Sequence, residues 1–134
     1  MEKDYIFYGL FLKDEDRNLL INFISNNKSL PHVDNFILEH CTLLHYSQEE
    51  NNTNIKTFCE CCIDTEFVLK IVAIGVSDKV MAFKVEIPGI SCANKNPHIT
   101  ICTFKNGKPV DSNKIDNFQY CIEPIELNVI LKKI

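Results

Sequence analysis

Asn96-Pro97-His98-Ile99-Thr100-Ile101-Cys102-Thr103-Phe104 constrains this chain more than any other stretch. Its apolar and polar residues alternate as in a half-buried strand, with Ile99 and Ile101 on one face and His98, Thr100 and Cys102 on the other. A histidine and a threonine two residues apart then point the same way, separated by about 6.6 Å of strand rise. That span suits the gripping of one phosphate. Alone, such a pair is simply the wet face of a sheet. A second copy upstream, Glu39-His40-Cys41-Thr42-Leu43, gives it weight, because His40 and Thr42 share one face and Cys41 and Leu43 the other. The two histidines stand 58 residues apart in the sequence, a separation that allows one such strand in each half of a small domain. A pseudo-twofold molecule of this kind brings both pairs into one cleft.

Length and composition frame that expectation. With 134 residues the chain is expected to form a single domain, residues 1–134, large enough to bury one core. No apolar run approaches the ~18 residues of a membrane span, and Met1-Glu2-Lys3-Asp4 lacks the layout of a signal peptide, so no membrane association and a cytoplasmic location are expected. Seven cysteines is an odd number, and Cys59, Cys61 and Cys62 crowd together, which suits free thiols in a reducing compartment better than a disulfide framework. The net charge of −4 argues against coating long duplex nucleic acid, which requires many phosphates to be neutralised. A small phosphate-containing ligand in a local pocket stays compatible, and a monomer is expected. Arg17 is the only arginine, and Asn and Ile are abundant, a bias that fits an AT-rich coding genome.

Taken in order, Tyr5 to Leu12 reads as a central strand. Asp14, with Glu15 and Asp16, opens a helix carrying Leu19, Leu20, Phe23 and Ile24 inward and closing at Asn26-Asn27. Residues 36–46 carry the first motif on a strand, and the polar run Ser47 to Asn54 reads as an exposed, mobile loop. Ile55 to Asp64 forms a short helix with Phe58, Cys59 and Cys62 inward. Glu66 to Gly75 and Lys79 to Pro88 form a hairpin turning at Ser77-Asp78. After the second motif, Asn106-Gly107 makes a turn, Pro109 to Asn117 a short helix or ordered loop, and alternation of Ile125, Leu127, Val129 and Leu131 marks a closing strand.

Two His-x-Thr motifs, His40-Cys41-Thr42 and His98-Ile99-Thr100, each followed by an aliphatic residue, resemble those of the 2H phosphoesterase superfamily. The run Lys108-Pro109-Val110-Asp111-Ser112-Asn113 is similar to the segment after the second motif in the cyclic phosphodiesterase domains of tRNA ligases. The resemblance covers Tyr5 to Lys132. It implies an α+β, two-lobed, pseudo-twofold LigT-like fold, with antiparallel sheets around a central cleft and few peripheral helices. It implies a phosphodiesterase needing no cofactor and no metal, acting on 2′,3′-cyclic phosphates or 2′-5′ bonds of small nucleotides. Substrates across that superfamily include RNA ends, 2′-5′ oligoadenylate and cyclic GMP-AMP. A chain expected to be a free-standing domain, with a composition that suits the AT-rich genome of a virus or parasite, is compatible with an enzyme that destroys a nucleotide messenger of innate immunity.

The chemistry is legible beside the resemblance. Cleaving a phosphodiester needs a base for the attacking oxygen, an acid for the leaving one, and donors for the non-bridging oxygens. His40 and His98, with ordinary values near ~6.5, can take either proton-transfer role at neutral pH. Thr42 and Thr100 would hydrogen-bond the phosphoryl oxygens. Tyr46 and Phe104 share the parity of the motif pairs and are candidates to stack on a base; Lys105 is a candidate to steer an anion. By the same parity His45 falls on the face opposite His40 and reads as structural. Ser112 and Asn113 read as braces of the cleft. Cys59-Glu60-Cys61-Cys62 lacks the further ligands of a zinc site. Two other classes remain open: a nucleotide-binding module on the same fold without turnover, and a cysteine-dependent interaction protein in which the motifs are accidental.

Overall fold

The structure, a computed structural model, describes residues 4–134. Its strands are β1 (Phe7–Phe11), β2 (His40–His45), β3 (Glu66–Val76), β4 (Val80–Glu86), β5 (His98–Thr103) and β6 (Tyr120–Lys133). They form one sheet of order β2-β1-β6-β3-β4-β5, antiparallel at every pairing. The order divides into two triplets, β2-β1-β6 and β3-β4-β5, with a motif strand outermost in each. The two lobes are therefore halves of one continuous sheet, and the fold is the α+β, LigT-like arrangement of two β-rich halves with few helices.

Alternation explains which face each strand buries. On β1, Tyr8 and Leu10 enter the core with Leu20 and Ile24 of α1 (Asp14–Ser25), whereas Phe7, Gly9 and Phe11 face the other way. On β6, Leu127, Val129 and Leu131 are buried as their spacing requires. Cys59 of α2 (Thr53–Cys61) is buried, with Phe58 and Cys62 packed against the same core. The hairpin turns at the expected place between β3 and β4. Asp14 begins α1 but does not cap it: the cap position is Lys13, without a side-chain bond, and Leu19 is 49% exposed rather than inward.

Two departures from the sequence expectation position the site. First, the expected strand over residues 36–46 begins only at His40. The segment before it crosses to the opposite edge of the sheet, where Ile37 N–H donates to Ile101 O (2.7 Å) and Leu38 N–H to Thr100 O (3.0 Å). Leu38 reaches this pairing at φ +41°, a conformation unfavourable for a leucine and held here by full burial. The single arginine locks the crossing from α1, donating from Nη2 to Phe36 O (2.9 Å) and from Nε to Ile37 O (3.3 Å). The two outer strands are thus stitched edge to edge, and the sheet nearly closes into a barrel.

Second, the run Ser47 to Asn54 is not a loop. Tyr46–Asn51 forms a 3-10 turn that leads directly into α2. Its polar residues are used locally: the His45 ring accepts from Ser47 N–H, Gln48 accepts from His45 N–H, and Glu49 takes the Tyr5 hydroxyl (2.7 Å) and Lys56 (3.0 Å). Low hydrophobicity signalled capping here, not disorder. The stretch Pro109 to Asn117 contains a second 3-10 turn, Pro109–Lys114, packed beside β4 and β5.

Candidate active site

β2 and β5 carry their motifs in the same local structure. In both, the burial sequence runs half-buried, buried, half-buried, buried, buried, half-buried. The doubled buried pair marks a bulge. Opposite β1, Tyr8 pairs with Leu44 and Gly9 with Thr42, so Leu43 has no partner. Opposite β4, Met81 pairs with Cys102 and Ala82 with Thr100, so Ile101 has none. The extra residue resets the alternation at the same step of each motif.

His40, Thr42, His98 and Thr100 all line one cavity of about 620 Å³ between the two edges. Its size falls within the ~300–1,000 Å³ of small-molecule sites. Ile37, Pro109 and Val110 supply an apolar wall, and His45, Ser47, Gln48 and Asn94 a polar one; Glu39 and Asn113 complete the lining.

The two imidazoles differ in what holds them. The ring of His40 packs against both Phe7 (centroids 4.7 Å) and Phe11 (4.9 Å), which touch each other (6.1 Å), and over Gly9, where a side chain would sit 3.4 Å from His40 Cδ2 and 3.2 Å from Cys41 O. Its Nδ1 is buried without a hydrogen-bond partner among the described residues. Burial pushes His40 below the usual histidine value; the nearby Glu39 charge opposes that and the neighbouring His98 adds to it. In His98, Nδ1 lies 2.8 Å from Asn96 O. A carbonyl can only accept, so Nδ1 carries the proton and Nε2 of the neutral ring keeps a lone pair. Burial lowers His98 too, with the Asn96 carbonyl acting against the shift.

The threonines also differ. Thr100 Oγ1 is 2.9 Å from Ser112 Oγ, and Ser112 is only 1% exposed. The brace expected of Ser112 is therefore a bond to the motif threonine itself. Among the described residues the Thr42 hydroxyl has no side-chain partner; its backbone oxygen accepts from the Cys92 thiol (3.3 Å).

Three sequence candidates fall outside the lining. Tyr46 is 44% exposed and its ring packs tilted against that of His45 (centroids 4.5 Å), Phe104 packs against the core, and Lys105 is exposed on the turn after β5. Strict alternation placed Tyr46 and Phe104 with the motif pairs, and the bulges at Leu43 and Ile101 shift them away. The same shift corrects His45, which strict alternation put opposite His40 and which lines the cavity with it. Two adjacent apolar residues in each motif strand, Leu43-Leu44 and Ile101-Cys102, were the available signal. Gln48, Asn94 and Val110 gave no such signal, since each comes from a segment between strands. Among the described residues no three His, Cys, Asp or Glu side chains converge as metal ligands, and Cys59 is buried while Cys61 is exposed. No helix among them is long and apolar enough to cross a membrane.

A six-stranded sheet closed by its own outer strands, with a His-x-Thr pair from each, is the class of site found in 2H phosphoesterases. A family model described as the fungal tRNA ligase phosphodiesterase domain matches residues 34–123, both motifs included, and the chain belongs to that family. A solved structure titled "Crystal Structure of Fungal RNA Kinase" resembles the whole chain with a TM-score of 0.65 at 18% identity. This chain spans 42% of that one, and the likeness at that identity concerns the fold. No curated protein matches.

Proposed function

We propose that this chain is a phosphodiesterase that opens a 2′,3′-cyclic phosphate, using two imidazoles and two hydroxyls without a metal. The observation that carries it is the meeting of both His-x-Thr pairs in one cavity although they arrive from opposite edges of the sheet. The family match supports the same reading.

His98 presents a lone pair at Nε2 and has a carbonyl ready for the imidazolium that forms. It takes the proton of a water whose oxygen attacks phosphorus. His40 gives a proton to the ribose oxygen as the P–O bond breaks, leaving a nucleoside monophosphate with one free hydroxyl. Desolvation opposes a charged His40, and a bound phosphodiester anion would supply the counter-charge. Thr42 and Thr100 donate to the non-bridging oxygens; Ser112 can donate to Thr100 and so free its proton for substrate. A 2′-5′ phosphodiester presents the same groups, so 2′-5′ oligoadenylate and cyclic GMP-AMP are the finer reading. A nucleotide-binding module without turnover is the alternative.

A panel assay in EDTA tests this: 2′,3′-cyclic nucleotides, RNA ends bearing a cyclic phosphate, 2′-5′ oligoadenylate and cyclic GMP-AMP, each with wild type and His98→Ala. Hydrolysis of the cyclic phosphates that persists in chelator and disappears in the variant is the expected result. Strict dependence on added metal overturns the mechanism. Cleavage confined to the cyclic phosphates overturns the finer reading.

A further inference from the structure

The polar wall of the cavity has its hydrogen bonding fixed by two backbone N–H groups. Ser47 N–H donates to His45 Nδ1 (3.2 Å), with Ser47 Oγ 2.8 Å from the same nitrogen. A nitrogen that accepts carries no proton, so the His45 ring holds its proton on Nε2. His45 N–H donates to Gln48 Oε1 (2.9 Å), which turns the Gln48 amide so that Nε2 donates to Asn94 Oδ1 (2.9 Å). That leaves Asn94 Nδ2 without a partner among the described residues, as it leaves His45 Nε2. The chain of constraints starts at backbone donors, whose direction is not in question, and ends in two side-chain donors on one wall of the cavity.

We propose that His45 and Asn94 form a base-recognition subsite that favours guanine, whose O6 and N7 offer two adjacent acceptors. Adenine offers N7 beside an amino group, and that amino group would face a second donor. The apolar part of the lining, Ile37, Pro109 and Val110, with Val110 59% exposed, is suited to the flat face of a base. Among the described residues no lysine or arginine lines the cavity, which favours a neutral base edge over a second phosphate as the occupant of these donors. The inference rests on the phosphodiesterase reading, since the base is placed by a nucleotide whose phosphate sits between the motif pairs. It adds a ligand-facing role to the hydrogen-bonded structural one that His45 already has as the cap of the turn after β2.

The test compares kcat/KM for guanosine and adenosine 2′,3′-cyclic phosphate in wild type, His45→Phe and Asn94→Leu, with calorimetric binding of guanosine and adenosine 2′-monophosphate alongside. The expected result is a guanine preference of about tenfold or more in wild type, reduced in both variants because the guanosine substrate loses more than the adenosine substrate. Asn94→Asp, which replaces the donor by acceptors, is expected to reverse the preference. Equal rates and equal binding of the two bases overturn the proposal. A preference for a 5′-phosphorylated substrate without base preference also overturns it and assigns the donors to phosphate. Guanine-selective binding without hydrolysis of any substrate sustains the subsite and sinks the enzyme reading; neither binding nor hydrolysis sinks both.

Discussion

β2 and β5 are equivalent by position in the sheet, by burial and by the bulge after the threonine, yet their surroundings have diverged. The β5 half is held by polar bonds: the Asn96 carbonyl fixes the His98 tautomer and Ser112 fixes the Thr100 hydroxyl. The β2 half is held by packing, with His40 against Phe7 and Phe11 and its Nδ1 without a partner among the described residues. A symmetric scaffold can bring two imidazoles to one phosphorus, but acid and base must differ, and that difference is written in neighbours outside the motifs. A carbonyl partner steadies a ring that gains a proton. A ring whose buried nitrogen has no partner surrenders one more readily.

Removing either imidazole breaks the comparison most severely. His40→Ala and His98→Ala are each expected to lower kcat by about 10² to 10⁴, the usual worth of a positioned acid or base. The halves separate on a second substrate. A 2′,3′-cyclic phosphorothiolate, in which sulfur replaces the bridging ribose oxygen that leaves, departs as a thiolate and needs less help from an acid, so activity is regained in His40→Ala and not in His98→Ala. Steady-state kinetics on both substrates decide it, and recovery in His98→Ala alone would exchange the two roles.

The pH profile comes next. Catalysis needs one imidazole neutral and the other protonated, so kcat/KM traces a bell centred on the mean of the pair's apparent values. Both rings lie below the usual ~6.5 through burial, and the bell is expected to centre below that pH. A centre above it would remove desolvation as the dominant influence. The same displacement governs stability: the unfolded chain takes up protons that these buried rings refuse. Stability is therefore full above about pH 6.5 and declines as pH falls through the folded-state values.

What the sequence disclosed follows the range of each interaction. Alternation named the inward residues of β6, and the motif spacing named the residues that meet. It could not follow Leu38, because the left-handed turn that carries the chain across the barrel seam is set by partners on β5 and by Arg17. Nor could it locate Gln48 and Asn94, 46 residues apart and joined by one amide bond. His45 is the instructive case. A period-two count is correct until a single extra residue enters, after which every later side chain is on the wrong face. Tyr46 and Phe104 fell to the same error in the two halves, which is itself a sign of their common geometry.

The finest difference between the halves is the Ser112 hydroxyl. Ser112→Ala is expected to lower kcat about fivefold, matching the ~1 kcal/mol of one hydrogen bond, because the Thr100 rotor loses its orientation while the threonine stays in place. A loss of that size could also come from loosened packing of the turn Pro109–Lys114, so a single variant is not decisive. Double-mutant cycles are. If Ser112 acts through Thr100, its removal costs nothing further once Thr100→Val has been made, whereas on a Thr42→Val background the fivefold loss persists. Equal losses on both backgrounds would mean that Ser112 serves the fold of the whole cavity, and the threonines would then be as alike in chemistry as in position.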